Sequence, residues 1–393
     1  MGLSSNELTF LVGSPEQLEQ MPQTPVLPAF SEQAVQFLSR LSRMLIHDRR
    51  SGVDVKSYAY WIRRASLEAA RQDGDYQNRL GRGVALHIAP SNVPVNFAVS
   101  MTSSLLAGNC TVIRVSNKPF AQVNLICETI NQLLDGEFAN MRPYLCILRY
   151  EHHVAAAQAL SRMCDLRVIW GGDSTIQTIR EMPLPPRAVE MAFADRYSIA
   201  VIDADAYLEC NAEQTAKDFY TDTYYTDQNA CSSPRLVVWL GSAVRQARER
   251  FWNALEQMVR RDYPMRPIQA VDKFSAVCML GMTRPGVSCV SEGTFVMRAE
   301  LERLTADVMD YKCGGGCFFE YTAGALEEIV PVLTKRCQTV AVLGVDQEEV
   351  RKLVFSRGVR GVDRIVPLGG TMELSFIWDG FKMIESMSRY VYG

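Results

Sequence analysis

Apolar and polar positions along the chain recur with two different periods, and each period predicts its own kind of element. Between Ala34 and Leu45 the apolar residues recur at steps of three and four, which predicts a helix with Ser31 as its N-cap. A second helix is predicted over residues 55–71. Residues 14–30 are rich in proline, glutamine and glutamate, and we expect them at the surface.

From residue 84 onward, short apolar runs alternate with helical patterns. The runs "VALHIAP", "CTVIRVS", "YLCILRY" and "LRVIWGG" predict buried strands, and helices are predicted after them from Phe97, Val123 and His153. Strand–helix units in succession predict a parallel sheet covered by helices on both faces, as in dinucleotide-binding domains. The fold class predicted is therefore α/β.

A second series of the same kind starts at "SIAVIDADA" and continues through "RLVVWLG" and "QTVAVLGV". It predicts a second α/β domain. We expect three parts: N-terminal helices and a cofactor domain (1–195), a second domain (196–364) and a C-terminal segment (365–393).

Composition excludes several classes of function. The 393 residues are 48% apolar with a formal net charge of −3, and no basic stripe is interleaved with aromatic residues, so nucleic acid is not an expected partner. No segment has the length of a membrane span, and the N-terminus lacks the pattern of a secretory signal. The 11 cysteines have no framework spacing, which predicts reduced thiols in a cytoplasmic protein.

Two stretches carry candidate chemistry. In "HIAPSNVPVNF", residues 87–97, a strand meets two prolines and an asparagine and restarts as a helix, so the corner is rigid. In "YTDQNACSSPR", residues 225–235, Cys231 lies in a small polar turn, where a thiolate can reach a substrate. Most other cysteines, such as Cys127 and Cys278, stand in apolar runs and are expected in the core.

The order of these motifs resembles the aldehyde dehydrogenase superfamily, and within it the long-chain fatty acyl-CoA reductases of bacterial bioluminescence (LuxC type). The resemblance rests on "GRGVALHIAPSNVPVNFAVSM", "WGGD", "QNACSSPR" and "RIVPLGGTMELSFIWDGF", and it runs from about Phe30 to the end. It implies an aldehyde-dehydrogenase-like fold, with a Rossmann-type cofactor domain and a second α/β catalytic domain.

The resemblance also implies roles for residues. Cys231 is the expected nucleophile toward an acyl thioester, and Asn92 the expected side-chain donor of an oxyanion hole. Coenzyme A leaves, a reduced nicotinamide delivers hydride, and the thiohemiacetal collapses to a free aldehyde. The alternative for Asn92 is a helix cap, with Pro94 in the first turn of the helix.

The cofactor expected from the resemblance is NADPH. Arg114 stands where many superfamily members have a lysine, and its planar fork suits a 2′-phosphate; the alternative is an arginine that extends from a strand end to solvent. Gly171 and Gly172 precede a helix expected to be capped by Asp173 or Ser174, where N–H groups approach a pyrophosphate. Three serines complete the expected cofactor site, namely Ser91, Ser116 and Ser174.

One departure bears on the reaction. Hydrolytic aldehyde dehydrogenases carry a Glu-Leu-Gly-Gly segment whose glutamate activates water, and the matching stretch here is "VEMAFADRYSIAVI". Ala192 falls at about the position of that glutamate, which favours reduction over hydrolysis. Glu190, two residues earlier, is kept as a candidate base. The alternatives are therefore an aldehyde dehydrogenase that forms acid and a non-reducing acyl carrier within a complex.

The remaining features receive weaker assignments. "KCGGGC" (residues 312–317) predicts a close-approach loop rather than a metal site, and no metal is expected. His87 is expected to be buried and hydrogen-bonded, and the histidines at 152–153 to lie at the surface. The segment Trp378-Asp379-Gly380 matches the family without an assigned role. An acyl-CoA or acyl-protein thioester, an acyl-protein synthetase and a second copy of the chain are the partners implied.

Overall fold

A computed structural model of the protein describes residues 8–150, 154–290, 293–312 and 314–393. The chain divides into two compact units. Unit 1 is Met1–Ala194 with Leu374–Gly393, and unit 2 is Asp195–Glu373. The functional division expected from the sequence, into a cofactor domain (1–195), a catalytic domain (196–364) and a C-terminal segment, stays a prediction.

In the described part of unit 1, the first elements are one strand and four α-helices, with a 3-10 turn at Met21–Gln23 after the first helix. Ser31 occupies the N-cap position of the second helix as predicted, but its side chain makes no capping hydrogen bond. Leu18, Met21, Ala29 and Phe30 are buried, so the prediction that residues 14–30 lie at the surface is wrong for these four side chains. The elements are β1 (Thr9–Val12), α1 (Pro15–Gln20), α2 (Glu32–His47), α3 (Val53–Trp61) and α4 (Arg64–Gln72).

The single helix predicted over residues 55–71 is two helices. Arg63 is extended (φ −62°, ψ 149°) and separates α3 from α4. Tyr58 and Ile62 are buried one turn apart, but Leu67, also buried, is five residues further on. In one continuous helix Leu67 would point about 140° away from Ile62. The break rotates Leu67 back onto the core.

A six-stranded sheet forms the centre of unit 1, in the order β1-β5-β4-β3-β6-β7. All neighbours are parallel except β1, which runs antiparallel to β5. Strands β3 and β6 are buried along their whole length, with His87 and Arg167 as their buried polar residues, as expected for a sheet covered on both faces. The elements are β2 (Arg79–Gly81), β3 (Val84–Ile88), α5 (Asn96–Leu106), β4 (Cys110–Arg114), α6 (Ala121–Asp135), β5 (Leu145–Arg149), α7 (Val154–Met163), β6 (Leu166–Trp170), α8 (Asp173–Arg180) and β7 (Val189–Phe193).

The strand order places a topological switch point at β3. From β3 the chain proceeds outward through β4 and β5, and then continues on the other side through β6 and β7. Loops that follow β3 and β6 therefore diverge at the carboxyl edge of the sheet, and open α/β sheets bind ligands in that crevice. The predicted surface histidines at 152–153 lie outside the described residues.

Unit 2 contains a seven-stranded sheet in the order β10-β11-β12-β9-β8-β13-β14. Its neighbours are parallel except β10, which is antiparallel to β11. The α/β fold class of both units is thus confirmed. The elements are β8 (Tyr197–Asp203), α9 (Ala204–Leu208), α10 (Ala212–Asp222), β9 (Pro234–Leu240), α11 (Val244–Asp262), α12 (Pro267–Thr283), β10 (Val287–Val290), β11 (Met297–Leu301), β12 (Cys317–Thr322), β13 (Cys337–Leu343), α13 (Gln347–Arg357) and β14 (Arg364–Pro367).

Helix α12 differs from the expectation for its sequence. Lys273 is fully buried, whereas Phe274 is 65% exposed and Met282 is 83% exposed. Cys278 is also exposed, so the prediction that it lies in the core is wrong. The apolar run around it faces outward because the opposite side of the helix, with Lys273, Val277 and Leu280, faces the unit.

The C-terminal segment after residue 373 belongs to unit 1 and forms β15 (Ile377–Trp378), β16 (Phe381–Lys382), α14 (Met383–Met387) and β17 (Ser388–Tyr390). Asp379 (φ 47°) and Gly380 (φ 75°) form the two-residue turn of the hairpin β15–β16, where both positions need a positive φ. Trp378 packs edge-on against Trp170, with 6.2 Å between ring centroids. Within the described residues, no helix combines the length and apolarity needed to cross a bilayer.

Candidate active site

Cys231 lies in a turn immediately before β9, at the amino edge of the unit 2 sheet. The turn starts with two residues in the left-handed region, Asp227 (φ 53°) and Gln228 (φ 58°). Its backbone is closed by short-range bonds, from Asn229 N to Thr226 O and from Ser233 N to Ala230 O. The thiol of Cys231 is partly exposed, as a nucleophile must be.

Two buried residues from neighbouring strands hold Cys231 by its side chain and its backbone. The amide Nε2 of Gln338, on β13, lies 3.2 Å from Cys231 Sγ. The hydroxyl of Ser198, on β8, donates to the Cys231 carbonyl at 2.8 Å and accepts from Thr339 N at 3.2 Å. Sequence reasoning missed both residues. The signal available was a polar side chain near the start of a buried apolar strand.

The glycine loop of "KCGGGC" packs against the same turn. Gly315 N donates to Asp227 O at 2.9 Å, and Gly316 (φ 95°) leaves no room for a Cβ, which would stand 2.2 Å from Tyr224 Oη. The buried ammonium of Lys273 donates to Gly315 O at 2.7 Å. The prediction of a close-approach loop is confirmed for Gly315 and Gly316, and Cys313 lies outside the described residues.

A buried carboxylate fixes a second loop beside Cys231. Asp222 accepts hydrogen bonds from Gly369 N at 2.6 Å, from Thr371 N at 3.0 Å and from Thr371 Oγ1 at 2.8 Å. The next residue, Met372, receives a hydrogen bond at its sulfur from Ser232. Burial raises the pKa of Asp222 to about 6, although the hydrogen bonds from Gly369 and Thr371 favour the anion.

The buried cysteines are chemically different from Cys231. Cys127 is in the core as predicted, and burial raises the pKa of its thiol to about 12. Burial has the same effect on the thiol of Cys337, beside Gln338. Such thiols stay protonated and unreactive at neutral pH.

In unit 1, Ser91 and Asn92 lie in the loop after β3, at the switch point, and both are exposed. Helix α5 begins at Asn96 with Val95 as its N-cap. Asn92 is therefore not the cap and Pro94 is not in the first turn, so the alternative prediction for Asn92 is wrong. The loop that carries Asn92 instead lies at the carboxyl edge of the sheet.

The base of this loop is held by buried polar contacts. His87, on β3, forms a hydrogen bond between its Nδ1 and Ser100 Oγ at 2.7 Å. Trp170 Nε1 donates to the same oxygen at 3.1 Å. Burial lowers the pKa of His87 to about 3, so the ring is neutral at physiological pH. The prediction that His87 is buried and hydrogen-bonded is confirmed.

Two cations lie at the carboxyl end of β4, next to β3: Arg114 is the last residue of β4, and Lys118 is in the loop that follows. Arg114 is partly buried, with its guanidinium carbon 5.4 Å from the centroid of the Tyr150 ring. Ser116 is buried and accepts a hydrogen bond from Lys118 N. Lys118 Nζ reaches Ser91 O at 3.3 Å and so links this loop to the one after β3.

The loop after β6 supplies space and N–H groups. Gly172 is the N-cap of α8 in an extended conformation, so the predicted caps, Asp173 and Ser174, are wrong; both belong to the first turn. No side chain caps this helix, and a Cβ at Gly172 would meet no atom within 4 Å. An uncapped helix N-terminus at the same carboxyl edge of the sheet as the ends of β3 and β4 suits the pyrophosphate of a dinucleotide, so these residues fit such a cofactor.

Glu190 lies at the other edge of the same sheet. Glu190 is the second residue of β7, and its carboxylate forms ion pairs with Arg167 at 2.5 Å and with Arg180 at 2.6 Å. Burial opposes its ionisation, but the hydrogen bonds from Arg180 and Arg167 prevail and hold the pKa of Glu190 below its usual range. This arrangement favours a structural ion-pair role for Glu190.

Comparison with known proteins identifies the family. The family model "Acyl-CoA reductase (LuxC)" matches residues 17–281, about two thirds of the chain. The chain belongs to this family. The resemblance predicted from the motifs is confirmed, and with it the assignment as an acyl thioester reductase that forms aldehyde.

Curated relatives of this LuxC-family chain carry consistent names. A long-chain acyl-protein thioester reductase of Aliivibrio fischeri is 22% identical over 373 residues, covering 92% of this chain and 74% of the relative. Long-chain acyl-protein thioester reductase 2 of Photobacterium leiognathi is 24% identical over 327 residues, covering 80% of this chain and 65% of the relative. These relatives favour the reductase over the acid-forming alternative.

Solved structures show the fold of the LuxC-family chain. An indole-3-acetaldehyde dehydrogenase complexed with NAD⁺ superposes with a TM-score of 0.68 at 13% identity, covering 95% of this chain and 85% of that one. An NAD-dependent benzaldehyde dehydrogenase from Corynebacterium glutamicum gives 0.67 at 12% identity, covering 95% and 86%. The aldehyde-dehydrogenase-like fold is confirmed, and a reductase of this fold indicates a nicotinamide cofactor.

Proposed function

We propose that the LuxC-family chain reduces a long-chain acyl thioester to the free aldehyde with NADPH, and that Cys231 carries the acyl group between the two half-reactions. The observation that carries this proposal is the environment of Cys231. Its thiol is accessible on a turn that residues of two neighbouring strands hold in place: Ser198 on β8 donates to its carbonyl, and Gln338 on β13 donates to its sulfur. The relatives named above act on acyl-protein thioesters, and we extend that substrate class to this chain.

The first half-reaction is acyl transfer to Cys231. The sulfur attacks the carbonyl carbon of the thioester, a carbon–sulfur bond forms, and the carbonyl oxygen becomes an oxyanion. We assign the backbone N–H of Cys231 as one donor to that oxygen, and the resemblance to the family, not a contact in the structure, gives the side chain of Asn92 as the second. One preorganised donor of this kind lowers the barrier by about 3 to 4 kcal/mol. The bond to the leaving thiolate then breaks, the thiolate takes a proton from solvent, and the acyl-enzyme remains.

The second half-reaction releases the acyl group as aldehyde. A reduced nicotinamide, when bound, supplies the hydride. The residues proposed to hold this cofactor are Arg114, Ser91, Ser116, Gly171, Gly172 and Ser174. Arg114 is the residue that favours NADPH over NADH, because its guanidinium can pair with a 2′-phosphate in bidentate fashion. Collapse of the resulting thiohemiacetal breaks the carbon–sulfur bond and returns the thiolate of Cys231.

We leave Glu190 out of this mechanism. Its carboxylate is engaged by Arg167 and Arg180 at the amino edge of the unit 1 sheet, whereas Asn92 lies at the carboxyl edge. Without a water-activating base, hydrolysis of the thioester acyl-enzyme is slow, so the acyl group remains on Cys231 until it is reduced. This supports aldehyde rather than acid as the product.

Partners follow from the substrate. A long alkyl chain dissolves poorly in water. We therefore propose that the acyl group arrives as acyl-CoA or on an acyl-protein synthetase. Assembly of the chain into a homo-oligomer stays a prediction.

Steady-state assays test the proposal. We expect acyl-CoA to drive oxidation of NADPH with one equivalent of aldehyde, trapped as a hydrazone and identified by mass, and we expect Cys231→Ala to abolish both. Steady conversion of aldehyde and NADP⁺ to free acid, or NADPH oxidation that survives in Cys231→Ala, would contradict it.

A further inference from the structure

The side chain of Gln338 is directed at the reacting atom of unit 2 from a position that apolar residues normally fill. Gln338 is fully buried near the start of β13, and the residues after it, from Val340 to Val342, are apolar core. A buried amide costs free energy unless its hydrogen bonds are made, so a glutamine here requires a reason. Its Nε2 stands 3.2 Å from Cys231 Sγ.

We propose that Gln338 is a catalytic residue that stabilises the thiolate of Cys231 by an N–H···S hydrogen bond. The amide of glutamine does not titrate, so the donor is present at every pH. A donor favours the charged form of its acceptor, and the bond is stronger to a thiolate than to a neutral thiol or thioester.

The proposal rests on the proposed function for its place in the reaction, where the thiolate appears twice. Before acyl transfer, Gln338 raises the fraction of Cys231 that is ionised and able to attack. After hydride transfer, the carbon–sulfur bond breaks and its electron pair returns to sulfur, and Gln338 donates to the charge that develops there. Both half-reactions are therefore expected to slow when the donor is removed.

The geometry separates this role from support of the turn. Ser198 donates to the Cys231 carbonyl, and the side chain of Gln228 bonds the turn to the backbone of β9 and β12. Neither of these contacts involves the sulfur of Cys231. Gln338 makes its contact with the sulfur itself. Removal of the Gln338 amide is expected to change the reactivity of Cys231 more than its position.

Alkylation by iodoacetamide, which needs neither acyl substrate nor cofactor, tests the role directly. Peptide mass mapping follows Cys231 and the exposed Cys278 in the same sample, so Cys278 serves as an internal reference. For Gln338→Met, similar in size but without a donor, we expect Cys231 to react about tenfold more slowly at neutral pH and Cys278 to be unchanged. The two proteins should converge at high pH, where the thiol ionises without help.

A second variant guards against a folding defect. Gln338→Asn keeps the amide donor on a side chain that is one methylene shorter. It should lower the alkylation rate of Cys231 less than Gln338→Met does. Equal rates in the wild type and Gln338→Met, or a deficit in Gln338→Met that persists unchanged at high pH, would overturn the proposal. If alkylation depends on Gln338 as expected and acyl-CoA still leaves no adduct, the proposed function fails while the role of Gln338 stands.

Discussion

Gln228 pairs through its side-chain amide with both backbone groups of Cys317. Its Oε1 accepts from Cys317 N at 3.2 Å, and its Nε2 donates to Cys317 O at 3.1 Å. The same amide also donates to Pro234 O and accepts from Gly316 N. One buried side chain thereby ties the turn that carries Cys231 to the start of β9 and the start of β12.

Replacing Gln228 by leucine should therefore destabilise unit 2 and misplace the nucleophile. Backbone groups of Pro234, Gly316 and Cys317 lose their partner in a buried site, and we expect a loss of about 2 to 4 kcal/mol in the free energy of unfolding. Urea unfolding measures this loss. Gln214→Leu on the surface of α10, which removes one exposed bond to Asp218, is the matched control and should cost less than about 0.5 kcal/mol. Equal effects of the two substitutions would refute the role of Gln228.

Asp222 gives unit 2 a pH dependence of defined sign. Its pKa of about 6 in the folded state lies above the ordinary value of 3.8, so the folded protein binds the proton more tightly than the unfolded chain. The resulting stabilisation is complete below about pH 4 and is lost as pH rises through about 6, a change on the order of 3 kcal/mol. The stability advantage of the wild type over Asp222→Asn should shrink by this amount between pH 4 and pH 7 in urea unfolding.

The comparison with Asp222→Asn isolates this one carboxyl, since other titrating groups contribute equally to both proteins. A wild-type advantage that is constant or grows with pH would show that Asp222 is ionised throughout. The loop at Gly369–Thr371 would then be bound by a permanent anion.

Arg114 should determine the preference between the two nicotinamide cofactors. Arg114→Ala removes the cation proposed for the 2′-phosphate, and we expect the Kd for NADPH to rise about 10- to 100-fold while the Kd for NADH changes little. Binding is measured by quenching of protein fluorescence, so the result does not depend on turnover. A parallel loss of both cofactors would indicate that Arg114 acts through its packing on Tyr150 instead.

Much of the fold was predictable because its central strands are buried on both faces. Runs such as "VALHIAP" and "LRVIWGG" are mostly apolar, and they form the fully buried strands β3 and β6 as expected. Elements at the margins were not predictable in this way. Strand β1 is stabilised by pairing with β5, more than 130 residues away, and α12 turns the apolar side of its sequence outward, so Cys278 is exposed.

The sequence could indicate candidate site residues where they stand in one short stretch, and not where strand pairing brings distant residues together. The proline-flanked corner and the polar cysteine turn are visible in short stretches, and they indicated Asn92 and Cys231. Gln338 lies 107 residues after Cys231, and only the parallel sheet order brings β13 next to β8 and so to the turn. The partners of Glu190 were hidden for the same reason, because Arg167 faces it only across β6 and β7.

The most direct test of the central claim is the intact mass of the protein after mixing with acyl-CoAs of several chain lengths, and again after addition of NADPH. We predict one acyl adduct on the wild type, its disappearance with NADPH as aldehyde forms, and no adduct on Cys231→Ala. The most abundant adduct also reports the preferred chain length. An adduct that persists in Cys231→Ala, or one on the wild type that NADPH leaves unchanged, would contradict a reductive cycle through Cys231.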